Sequence, residues 1–148
     1  MATEAKENLI LDALLTAAQL VVGGATYNTN PAVKAIGLPR DATAIGGGEA
    51  IYLQHVRTDL QRLPSGPTHD YEAVFHAWCV GDTDREALNV KDDLLRAVRL
   101  SEGALQATAL ASAGFRDSVC VIPDPDTVAK IGKAIRIQEF IGAYPLSG

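Results

Sequence analysis

The residues best placed to do chemistry are Asp124 and Asp126, in the run Asp124-Pro125-Asp126-Thr127-Val128 that follows the apolar stretch Val119–Ile122. Paired carboxylates at a strand end can hold Mg²⁺ while one attacks a phosphoryl group and the other moves a proton. A proline between two acids is equally an ordinary turn. The other candidate sites fail on spacing. Gly46-Gly47-Gly48 precedes a predicted strand, whereas a phosphate cradle precedes a helix N-terminus. Gly23-Gly24 follows a predicted helix and lacks the dinucleotide fingerprint. Gly132-Lys133 has Thr127 where a P-loop needs its first glycine and Ala134 where it needs Ser or Thr. The histidines His55, His69 and His76 have no His or Cys partner at zinc-like spacing, and His76 beside Trp78 reads as a packed or rim residue.

The Asp124/Asp126 segment resembles the Asp-x-Asp-x-Thr/Val signature of the haloacid-dehalogenase phosphatases. That resemblance implies Asp124 as phosphoryl-accepting nucleophile and Asp126 as acid/base. The family sets this motif near the start of a large parallel α/β domain, whereas only about twenty residues follow it here. Context therefore favours the turn. The chain is expected not to be an enzyme, with no catalytic, cofactor-binding or metal residues. A Mg-dependent phosphatase using Asp124 and Asp126 is the distant alternative.

Length and charge narrow the classes further. A chain of 148 residues suits one domain over 1–148 and buries a core without staples. Thirteen Lys and Arg are outnumbered by eighteen acids, giving a net charge of −5, which disfavours direct nucleic-acid recognition. No apolar run reaches the roughly 18–20 residues that cross a bilayer, so no membrane partner is expected. Synthesis in the cytosol follows, and Cys79 and Cys120, both in apolar surroundings, read as reduced core residues.

The elements that position these residues can be read in order. Residues 4–21 form a predicted amphipathic helix, with Thr3 as N-cap and Gly23-Gly24 as its stop. Residues 25–48 read as irregular loop with room for short strands. Glu49–Val56 and His69–Val80 are predicted strands of a long antiparallel hairpin with an irregular tip at about 57–68. Thr83-x-x-Glu86 is a capping box opening a helix whose apolar stripe is Ala87, Leu88, Val90, Leu94, Leu95, Ala97 and Val98. Lys91, Asp92, Asp93, Arg96 and Arg99 are placed on its solvated side. An Ala-rich span at 104–113 fits helix or extended chain. Phe115–Ile122 reads as a strand broken at Pro123 and Pro125, and Lys133–Ala143 as a last strand. The fold class is α+β: a mainly antiparallel β-sheet with a long hairpin, packed on one side by two main helices.

This layout resembles the tail terminator (tail-completion) proteins of long-tailed bacteriophages and related tail-like particles. The likeness is carried by the strand Tyr71–Gly81 running directly into the acid-capped helix of Asp82–Arg99. It implies a structural virion protein that forms a homo-oligomeric ring, commonly a hexamer, made in the host cytoplasm and located in the virion tail. The implied partners are copies of itself, the tail tube protein and the head–tail connector protein, with no cofactor. Other neck, tail-completion or tail tube proteins are the nearest alternatives. At the hairpin tip, Arg57, Asp59, Arg62 and His69 are candidates for inter-subunit or tube contact.

Overall fold

The computed structural model describes residues 5–21, 27–29, 31–34, 49–62, 68–101 and 115–147, with only the backbone of 32–34, 61–62, 68–70 and 145–147. The elements are α1 (Lys6–Gln19), β1 (Ala32–Lys34), β2 (Ala50–Arg62), β3 (Thr68–Gly81), α2 (Asp84–Leu100), β4 (Phe115–Val121), α3 (Pro125–Ile131) and β5 (Ala134–Ser147). Among the described residues five strands make one sheet, in the order β1-β2-β3-β5-β4. Every pairing is antiparallel except β1 with β2. The α+β class stands.

Strand alternation divides the side chains of this sheet between two faces. Ile51, Leu53, Ala73, Phe75, Ala77, Cys79, Phe115, Phe140 and Tyr144 pack with Ile10, Leu14, Ala17 and Ala18 of α1 and Val90, Leu94 and Val98 of α2. Both main helices thus lie on one face. The opposite face carries a smaller cluster of Ala50, Tyr52, Trp78, Val80, Ile135 and Ile137, with Ile131 of α3 packed against it. The apolar second face of late β3, visible in the sequence, belongs to this cluster.

The capping box forms with a shifted second arm. The Glu86 amide donates to Thr83 Oγ1 at 3.2 Å, while Glu86 Oε2 accepts from the amide of Asp82, not Thr83, at 2.8 Å. The chain must turn sharply from β3 into this cap. A Cβ on Gly81 would lie 2.7 Å from Glu86 Cβ and 2.8 Å from the Ala87 nitrogen, so only glycine fits without displacement. Lys133 bonds to Asp82 and Arg136 to Asp84 at 3.2 Å, so the acids of this turn also meet the start of β5.

Several expectations need correction. Residues 57–62 are strand, so the hairpin arms run into the span expected as the tip, and 63–67 lie outside the described residues. The α1 N-cap is Ala5, without a side-chain cap bond; Thr3 and Gly23-Gly24 lie outside the described residues, as does 104–113. Within 25–48, the room left for short strands is taken in part by Ala32–Lys34, parallel to β2, as expected, and most of the rest lies outside the description. Leu88, placed in the α2 stripe, is 40% exposed. Asp93, placed on the solvated side, is fully buried. Thr29 donates to Asp93 Oδ2 from its amide at 2.9 Å and from its hydroxyl at 2.7 Å, and Arg96 donates to Oδ1 at 3.2 Å. A buried carboxylate is tolerable when its lone pairs are satisfied in this way. Cys79 is buried but Cys120 is exposed, on the outer strand β4, whose residues after Phe115 are all exposed.

Candidate functional site

The second sheet face changes character along the hairpin. Near the α2 end it is the apolar Tyr52–Trp78–Ile137 row, and Trp78 Nε1 is buried with no hydrogen-bond partner among the described residues. Toward the hairpin tip it becomes polar. His76 Nε2 lies 3.3 Å from Glu139 Oε1, half-buried, in register between Gln54 and Glu139. Four residues further along β3, Asp59 faces Glu72 across the strands, a like-charge pairing that is unfavourable alone. Each acid has its own arginine: Arg57 to Asp59 at 3.1 Å and Arg116 of β4 to Glu72 at 3.5 Å.

Of the four expected contact residues, Arg57 and Asp59 are therefore brought together, as an exposed ion pair on the arms. Arg62 sits in register with Asp70, and His69 with Leu146, near the far end of the sheet; their side chains lie outside the described residues. The half-exposed ion pairs contribute little to stability, which leaves them available for contacts with another surface.

A second polar group ties α1 to β2 on the helix face. Thr58 Oγ1 donates to Glu7 Oε2 at 2.8 Å and lies 2.7 Å from His55 Nε2. The hydroxyl has one proton, already given to Glu7, so His55 Nε2 must be the donor in the second bond. Tyr144 also bonds to Glu7; burial and that bond push its hydroxyl up to about 12. Burial opposes the charge on Glu7, yet bonds from its own backbone, Thr58 and Tyr144, with His55 nearby, hold its carboxyl below the usual range.

A carboxyl with a depressed folded pKa stabilises the fold above its unfolded pKa, about 4.3, and loses that contribution as pH falls through the folded value. Glu7→Gln should accordingly be less stable than the parent chain near neutrality. The gap should close as the solution is acidified below the carboxylate range, as urea midpoints at stepped pH would record.

Asp124 and Asp126 do different work from each other. Asp124 is the N-cap of α3: Oδ1 accepts from the Thr127 amide and Oδ2 from the Thr127 hydroxyl, both at 2.8 Å. Those bonds from Thr127 hold its carboxyl below the usual range. Asp126 lies in the first turn of α3, where the helix dipole favours an acid. Pro125 stands at the start of that helix, a position suited to its missing amide, and Gly132 closes it at φ 72°. The sequence signal for α3 was thus present as Asp-Pro-x-Thr followed by glycine, and the turn reading missed it.

Among the described residues, no three His, Cys, Asp or Glu side chains gather as a metal site. Burial pushes the Cys79 thiol far up, which makes it an inert part of the core. No described helix is long and apolar enough to span a membrane. No family model matches the chain, and no curated protein matches it.

Proposed function

We propose that this chain is a structural assembly protein, a tail terminator whose homo-oligomeric ring caps a tail tube and joins it to the head-side connector. The observation that carries the reading is the element order around the long β2–β3 hairpin. A leading helix, the hairpin, a capped helix entered straight from its second strand and a closing strand together form one sheet with both main helices on a single face. Rings need two different surfaces on each subunit. The helix layer and the charged hairpin arms are two such surfaces, and Arg57–Asp59 is the polar pair nearest the far end of the arms with described side chains. The protein would be assembled in the host cytoplasm and act in the virion tail, bound to copies of itself, tail tube protein and connector protein.

Purified chain mixed with tail tubes tests this reading by light scattering and negative-stain microscopy. A discrete oligomer, or density confined to tube ends, is expected. Exchanging the charges as Arg57→Asp with Asp59→Arg should weaken tube binding about tenfold if the pair meets a complementary surface. A chain that stays monomeric and never binds tubes removes the proposal. One that polymerises into tubes of its own would instead be a tube subunit.

A further inference from the structure

We draw no further inference here: the strongest candidate, the surface cavity between the last turn of α2 and the start of β4 lined by Val98, Arg99, Phe115, Arg116 and Asp117, carries nothing, because its arginines are already paired, Arg99 with Asp117 and Arg116 with Glu72, and nothing in the structure shows what covers it.

Discussion

Phe140→Ala is expected to cost about 4 kcal/mol of folding stability, the largest effect of any single truncation considered. Phe140 is fully buried and sits opposite Phe75 in the β3–β5 ladder. On its other side it stacks on Phe115 of β4, with ring centroids 5.6 Å apart and planes 17° from parallel. The side chain therefore joins three strands beneath the helix layer. Alanine would lose the transfer energy of the ring and leave a cavity that a twisted, fully paired sheet is slow to close. Against a total stability of roughly 5–15 kcal/mol, such a loss brings the chain near unfolding at ordinary temperature. Urea denaturation should show the midpoint falling with the slope unchanged, since the native state is not expanded. A cost under about 1 kcal/mol would mean that the three rings do not form the packed centre.

Asp93→Ala should be the most damaging change to a polar residue, costing about 3 kcal/mol. The carboxylate itself is not a source of large net stability, because burying it is expensive. Its removal is costly for a different reason: the amide and hydroxyl of Thr29, a buried residue, would both lose the carboxylate oxygen that accepts from them. Arg96 is largely exposed and would return to water at little cost. Asp93→Asn keeps an acceptor and should cost about half as much. In a thermal melt the alanine variant should fall by about 10 °C and the asparagine variant by less. Equal stability of Asp93→Ala and the parent would show that the 27–29 segment is not anchored through this bond.

The contrast between Asp93 and its neighbour Asp92 shows what could be read from residue order. Helical spacing sets position 93 three after Val90 and four before Ala97, on the buried stripe. That signal was overridden by the side chain's charge, because its acceptor role depends on Thr29, which is distant in the chain. The capping box, the long hairpin and the final strand were legible because local chemistry defines each of them. Residues 57–62 were not: no described side chain from Arg57 to Leu60 is fully buried, so the alternation that marks a strand is missing. Cys120 was misplaced for the complementary reason. An apolar strand looks buried in sequence, yet this outer strand is buried only at Phe115 and exposed from Arg116 to Val121. The candidate contact surface was half legible. Arg57 and Asp59 were singled out, but Arg116, Glu72, His76 and Glu139 become neighbours only through pairing across strands.

The β3–β5 ladder, from Thr68–Ser147 to Gly81–Ala134, joins segments separated by the whole of α2, β4 and α3. The β2–β3 hairpin can zip locally in microseconds, but β5 must search across a long intervening loop before its first bond is rewarded. Ribosomal synthesis sharpens the order, because the hairpin emerges well before its third strand has been made. Until then β3 is a nascent border open to stray partners, and docking of β5 seals it. Refolding is accordingly expected to end in one slow phase, in the millisecond-to-second range, that coincides with protection of the β3 amides from hydrogen exchange.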